Sequence, residues 1–319
     1  MTPPAGLITL IDRQSSQSSG PLVAILGDAL VERYGQAAQA VLFYGSCLRS
    51  GDPLKGLVDL YVIVKEYRAA YGKSLPSLFN ALLPPNVYYL EIPFQGRKLR
   101  AKYAVLSLRD LQKGASMGWF HSYLWGRFAQ PTRVIYARDV QVARQVRLAL
   151  AQAVVTFVTR TLPCLPEQFD AVELWRHGLS LSYRSELRAE KPGRAKELVD
   201  MFRDEYERLS EAVMPALPWA VATVGHKDST PIRYQAEIPV WQRRLSAVTW
   251  GLRRFQGKLL SVLRLMKSAF TFQGGVDYIV WKLERHTGIA VEVTPRLRRY
   301  PLIFIWPHFW RLYRRGAFR

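Results

Sequence analysis

The stretch 43-FYGSCLRSGDPLKGLVDLYVIV-64 decides the reading of the fold. It opens at the end of one apolar strand, 40-AVLFYG-45, and closes with another, 57-LVDLYVIV-64. Between them lie a Gly45-Ser46 turn and a polar loop. A glycine at a strand end lets backbone N–H groups approach an anion, and a serine hydroxyl adds one donor. The alternative is an ordinary turn. Asp59 is the one acid in its strand, 13 residues after Ser46. A carboxylate in an apolar strand is costly unless it is paired, accepts local backbone N–H groups, or binds a metal. Mg²⁺ takes one or two carboxylates and fills its shell from substrate phosphates. Position 57 holds leucine, so this strand offers one acid, and further ligands are sought at Asp52 or Glu91.

Working outward, the third strand reads as 86-NVYYLEIPF-94 and the fourth as 98-KLRAKYAVLS-107, joined through Gly96. Lys102 sits in the fourth, either aimed at phosphates as a point charge or snorkelling from a strand edge. A helix is expected over 21–35 with Leu22, Ile25, Leu30 and Val31 inward, and helical patterns over 108–127 and 139–161. Residues 1–20, ending in 14-QSSQSSG-20, read as a loose lead-in. The segment 165–235 reads as largely helical, with stretches at 167–187 and 193–213 around Lys191-Pro192.

The last third differs. From Ile238 to Val276 there are seven basic residues and no acid. Trp241, Leu245, Val248, Leu252, Phe255, Leu259, Val262 and Met266 recur there at helical spacing, opposite a basic face. The end, 296-RLRRYPLIFIWPHFWRLYRRGAFR-319, holds seven arginines and seven aromatic residues. Trp306, Phe309, Trp310, Arg311, Arg314 and Arg315 suit a membrane interface, with rings at headgroup depth and arginines on lipid phosphates. A helix packed on the body through its rings is the alternative.

Bulk composition narrows the class. The 319 residues, 49% hydrophobic, suffice for one large or two ordinary domains. A net charge of +20 calls for an anionic partner: nucleic acid, an anionic membrane or a phosphate-rich substrate. Two cysteines argue against a disulfide framework, and the five histidines show no ligand spacing. No apolar run is long enough to span a bilayer, and the N-terminus resembles neither a secretory signal nor a transit peptide.

Five blocks, in order, resemble the mitochondrial-type phosphatidate cytidylyltransferases, peripheral CDP-diacylglycerol synthases of the nucleotidyltransferase superfamily. They are 44-YGSCLRSG-51, 57-LVDLYVIV-64, 101-AKYAVLSLRDL-111, 119-WFHSYLWGRFAQPTRVI-135 and 179-LSLSYRSELRAEKPGRAKELV-199. In this branch an apolar residue two before the Asp is usual, so Leu57 fits. Ala104 replaces a family glycine, Gln130 a lysine, and Ser185-Glu186 a Gly-Asp pair. A looser likeness runs through 258-KLLSVLRLMKSAFTFQGG-275.

The resemblance implies an α+β fold. A nucleotidyltransferase-type mixed sheet with helices would span 1–145, a mainly helical, winged-helix-like domain 146–237, and a basic amphipathic membrane-binding region 238–319. It implies CTP and phosphatidate as substrates, CDP-diacylglycerol and pyrophosphate as products, and Mg²⁺ as cofactor. The implied roles are Asp59 on the metal, Asp59 and Lys102 as catalytic groups, and Tyr44, Gly45 and Ser46 on the nucleotide. Arg127, Arg188 and Lys196 would hold substrate phosphates. A peripheral location follows, on the cytoplasmic face of a bacterial inner membrane or the matrix-facing membrane of a mitochondrion. Nothing in the sequence specifies an oligomeric state. Two other readings stay open: a nucleotidyltransferase acting on RNA or another small acceptor, against which 302-LIFIW-306 beside Trp310 argues, and a non-catalytic membrane-associated relative.

Overall fold

Strand β2 (Val58–Val64) is the centre of a five-stranded mixed sheet ordered β3-β4-β2-β1-β5. In the computed structural model, which describes residues 1–45, 47–48, 52–54, 56–187, 193–224 and 232–271, β2 pairs antiparallel with β1 (Ala38–Tyr44) and parallel with β4 (Arg97–Ser107). β3 (Asn86–Phe94) hangs antiparallel on β4, and β5 (Arg133–Ala137) antiparallel on β1. Ser46, Arg188, Trp306, Phe309, Trp310, Arg311, Arg314 and Arg315 lie outside the described residues.

Both faces of the sheet are covered, which is why β2 reads as an almost unbroken apolar run. Val58, Leu60, Val62 and Val64 join Val23, Leu26 and Leu30 of helix α2 (Pro21–Tyr34) in one core. The fully buried face of α2 is therefore Val23-Leu26-Leu30, with Leu22, Ile25 and Val31 packed at its margin. Tyr61 and Ile63 point to the other core, and by strand alternation Asp59 shares their side.

Short helices α3 (Tyr67–Tyr71) and α4 (Leu75–Leu82) connect β2 to β3. After β4, helix α5 (Leu108–Ala115) stops at Ser116, and a short α6 (Trp125–Phe128) follows a turn. A single helix over 108–127 is thus not formed. Gly114 brings its backbone against Leu124, where an added Cβ would lie 2.2 Å from Leu124 Cδ1, and the extended backbone of Ser116 folds the chain back. The lead-in is also not loose: Ala5–Ser15 form helix α1, burying Leu7 and Ile11, one turn apart. Asp12 pairs with Arg147 at 2.8 Å and fixes α1 to helix α7 (Val140–Thr161).

The second unit contains helices α8 (Ala171–Arg184), α9 (Arg194–Met201) and α10 (Arg203–Val213). A three-stranded sheet, β6 (Gln168–Asp170), β8 (Arg233–Ala236) and β7 (Val221–Val224), stands beside them in that order. Its strands are three and four residues long, too short to announce themselves by periodicity. The expected boundary at 145/146 falls inside α7, whose buried side chains belong to a core shared with α8 and α10. Phe157 stacks on Trp175 at 4.8 Å, and Trp175 meets Tyr206 at 4.5 Å. Gly178 permits this approach, since a Cβ there would lie 2.5 Å from Phe157 and 2.6 Å from Thr161.

Helix α11 (Val240–Thr271) crosses the body with its polar side inward. Trp250 donates to Arg160 O at 2.9 Å, Arg253 to Phe120 O at 2.9 Å, and Lys267 to Pro85 O at 2.8 Å. Gly257 sits so close to the turn after α8 that a Cβ would lie 2.0 Å from Ser185 O. The predicted apolar stripe faces away from the body: Trp241, Leu245, Val248, Leu252, Phe255, Leu259, Val262 and Met266 are all exposed.

Because one core spans both units, Gly178→Val should lower stability by about 1–3 kcal/mol. Urea unfolding followed by tryptophan fluorescence and by far-UV circular dichroism should still give one coincident transition. Two separated transitions would refute the shared core.

Candidate active site

The site is built from the ends of β1, β2 and β4. Tyr44 is the register partner of Asp59 across β1–β2, and Lys102 is its partner across β2–β4. Three of the residues singled out in the sequence therefore stand in a row on one sheet face. Gly45 follows with φ +89°, and a Cβ at this position would lie 2.6 Å from Asp59 Oδ2. Only glycine allows both that backbone conformation and that approach.

Asp59 is half-buried and forms no hydrogen bond or ion pair among the described residues. Burial raises its pKa, and the charges of Lys102 and Arg127 offset only part of that rise. An unsatisfied carboxylate of this kind fits a divalent cation. Among the described residues no group of three His, Cys, Asp or Glu side chains could hold an ion unaided, so phosphate oxygens would complete the shell. Glu91 is engaged elsewhere. It faces Arg100 across β3–β4, pairs with Arg100 at 3.1 Å and with Lys98, and accepts from Tyr89 at 3.0 Å. Asp52 accepts from Leu54 N at 3.0 Å within its own loop.

Arg127, from α6, enters the same face. Its guanidinium donates to Tyr61 at 3.2 Å, Tyr123 at 3.3 Å and Tyr44 at 3.5 Å, and pairs with Glu186 at 3.4 Å. It also lies 4.4 Å from the Tyr123 ring centroid. Burial raises the Tyr44 and Tyr61 hydroxyls above their ordinary range, so both remain neutral donor–acceptors. Arg264 of α11 also lies over the Tyr123 ring, 4.1 Å from its centroid, and donates to Pro84 O at 3.2 Å. His121 stacks on Tyr123 at 6.1 Å, and burial with the Arg264 charge pushes its pKa down to about 3, so it stays neutral.

The structure thus brings together Tyr44, Gly45, Asp59, Lys102 and Arg127. Lys196 is exposed on α9 and makes no bond to this cluster. Sequence reading missed Tyr61, Tyr123, Glu186 and Arg264. Tyr61 had a signal: it is two residues from Asp59 and so on the same strand face. The residues that depart from the familiar pattern are tied into the scaffold. Glu186 is the carboxylate on Arg127, and Ser185 is fully buried beneath Gly257. Gln130 donates to Gly126 O at 2.9 Å and accepts from Tyr183 at 3.1 Å.

The folded pKa of Asp59 lies above its unfolded value, so the folded state binds more protons, and stability falls as pH rises through the interval between them. Asp59→Asn removes that penalty. At pH 7 the variant should melt no lower than the parent in differential scanning fluorimetry, whereas a structural aspartate would show a clear fall. Glu186→Gln strips the buried Arg127 of its carboxylate and should cost about 3–5 kcal/mol in urea unfolding.

The family model described as phosphatidate cytidylyltransferase, mitochondrial, matches residues 63–247, more than half of the chain. The match takes in Lys102, Arg127, Arg188 and Lys196 and begins after Asp59. No curated protein sequence matches. Among solved structures, a nucleotidyltransferase-like protein from Exiguobacterium sibiricum aligns over 92% of both chains with 12% identity and a TM-score of 0.28. On the family match, the chain belongs to the phosphatidate cytidylyltransferase family and is a nucleotidyltransferase.

Proposed function

We propose that the protein transfers a cytidylyl group from CTP to phosphatidate at a membrane surface with Mg²⁺, releasing pyrophosphate. The observation that carries this reading is the unpartnered Asp59, flanked by Lys102 and Arg127 beneath the positive-φ turn at Gly45, in a member of this family. Asp59 would hold the metal, which supplies charge neutralisation on the triphosphate oxygens when bound. Tyr44, Gly45 and Ser46 would line the nucleotide. The phosphatidate phosphate attacks the α-phosphorus, one P–O bond forms, the bond to the β-phosphate oxygen breaks, and pyrophosphate leaves. A phosphate monoester is already an anionic nucleophile, so positioning and charge stabilisation dominate. Lys102 and Arg127 are fixed cations for the charge that accumulates on the leaving group. Arg188 and Lys196 are assigned to substrate phosphates on the resemblance alone.

The exposed stripe of α11 supports action at a membrane. Leu252 is 58% and Phe255 73% exposed, with Arg244, Arg254 and Lys258 exposed alongside. Such a helix lies in an interface with its apolar side down and its cations on lipid phosphates. The aromatic and arginine residues Trp306, Phe309, Trp310, Arg311, Arg314 and Arg315 would add to that anchor. No helix among the described residues is long and apolar enough to cross a membrane. A peripheral enzyme on the cytoplasmic face of a bacterial inner membrane is the corresponding location.

Pyrophosphate release by purified protein with phosphatidate in mixed micelles, Mg²⁺ and each nucleoside triphosphate in turn tests the reaction. Release with CTP alone is expected, with CDP-diacylglycerol formed and the rate cut at least about a hundredfold by Asp59→Asn. Release with RNA and not with phosphatidate would favour the other acceptor, and no release from protein that still binds vesicles would favour a non-catalytic relative. The rate should fall on acidification at a pH above the ordinary carboxylate range near 4, as the raised pKa of Asp59 is crossed and its carboxylate is protonated.

Leu252→Asp with Phe255→Asp should abolish vesicle sedimentation, each side chain forfeiting about 1.5–3 kcal/mol of burial. Turnover of a soluble short-chain phosphatidate should survive in that variant. Equal loss on both substrates would remove the membrane role of the stripe.

A further inference from the structure

A cleft of ≈ 280 Å³ opens between α7, the turn at Pro218-Trp219 and the first turns of α11. Its walls include Pro218, Trp219, Trp241 and Leu245, and two arginines, Arg160 and Arg253, also line it. Arg253 is 1% exposed. Its Nε donates to Phe120 O at 2.9 Å, and its guanidinium lies 4.8 Å, 5.0 Å and 6.0 Å from the ring centroids of Phe120, Trp250 and Trp125. Its Nη2 is buried without an acceptor, and so is Nε of Arg160, whose Nη2 donates to Met117 O at 2.7 Å. No acid among the described residues pairs with either arginine.

One buried and one half-buried cation, each with a spare donor and no counter-ion, are an unfavourable arrangement until an anion joins them. Burial lowers both pKa values, and the charge of Arg160 helps bring Arg253 to about 10. Guanidinium donors match phosphate oxygens in geometry. The walls are mostly apolar, with Thr159, Gln242, Ser246 and Thr249 among them, and Trp241 and Leu245 continue without a break into the exposed stripe of α11. The anion that suits this cleft therefore carries a hydrocarbon chain. This place is distinct from the candidate active site: segment 119–128 offers Tyr123 to Arg127 on one side and Phe120 and Trp125 to Arg253 on the other.

We propose that Arg160 and Arg253 form a second anion site that takes the phosphate of a glycerophospholipid, with its acyl chain along Trp219, Trp241 and Leu245. The site fixes one lipid in register with α11, beside the region where the stripe meets the membrane. The lipid is a bound ligand and undergoes no reaction there.

The test is calorimetric titration of the full-length protein with dihexanoyl-phosphatidylglycerol below its micelle concentration, which separates a discrete site from bulk membrane adsorption. Saturable one-to-one binding is expected. Arg160→Gln should weaken it at least tenfold, and Trp241→Ser, at a residue 63% exposed and so outside the folding core, at least threefold. Asp59→Asn should leave it unchanged, which separates this site from the catalytic reading. Absence of saturable binding, or equal affinity in Arg160→Gln with its melting temperature retained, would overturn the proposal. Inorganic phosphate binding as tightly as the lipid would overturn the lipid assignment in favour of a free-anion site.

Discussion

A guanidinium almost excluded from water must find both a counter-charge and acceptors, and Arg127 finds them on separate parts of the chain. Tyr44 comes from β1, Tyr61 from β2, Tyr123 from the loop before α6, and Glu186 from the turn after α8. The most distant partner lies 83 positions from Arg127 along the chain. Leaving such a charge without them would cost several kcal/mol, so the arrangement exists only when sheet and helical unit are docked. The shared core through Phe157, Trp175 and Tyr206 provides that docking. The turn bearing Glu186 is seated by Gly257, which lets α11 approach Ser185.

Against this background Asp59 is the exception. Its neighbours on β2 are buried hydrocarbon or tyrosine, yet its own carboxylate has no protein partner among the described residues. Burial without pairing is the energetic signature of a group kept for a ligand rather than for the fold. Lys102 and Arg127 soften the penalty without removing it, which keeps the site electropositive toward phosphates. The same tension sets the expected relation between stability and activity at this residue: what the ligand needs, the empty fold tolerates at a cost.

Helix α11 resolves its amphipathicity in an unusual sense. Arg253, Arg264 and Lys267 turn inward onto carbonyls and aromatic rings, whereas Trp241 and the leucines and valines of the stripe turn outward beside the exposed Arg244, Arg254 and Lys258. A soluble partner surface or a bilayer satisfies the outward face, and the flanking cations favour an anionic one. Through Arg264 the same helix covers Tyr123, so the element offered to the membrane also forms a wall of the candidate active site. A phospholipid held by Arg160 and Arg253 would lie along about the first four turns of the same helix.

The sequence by itself determined the apolar strands around Asp59, the turn at Gly45 and the candidacy of Lys102, because unbroken apolar runs buried on both faces and a lone carboxylate leave a direct trace in the residue order. It also carried the 3.6-residue stripe of α11, but a stripe specifies two faces and not which of them meets the body. That choice came from tertiary packing, where Trp250, Arg253, Gly257 and Lys267 fit carbonyls and rings and the stripe does not. Helix α1 was hidden because its polar tail dominates a segment whose two buried apolar residues, Leu7 and Ile11, gain meaning only against α7. Strand β5, five residues and mostly half-buried, shows no alternation and is defined by the edge of β1. Glu186 and Arg264 reached the site through contacts distant in sequence, and local pattern is blind to these because their free energy is realised only after the chain has closed the loops between them.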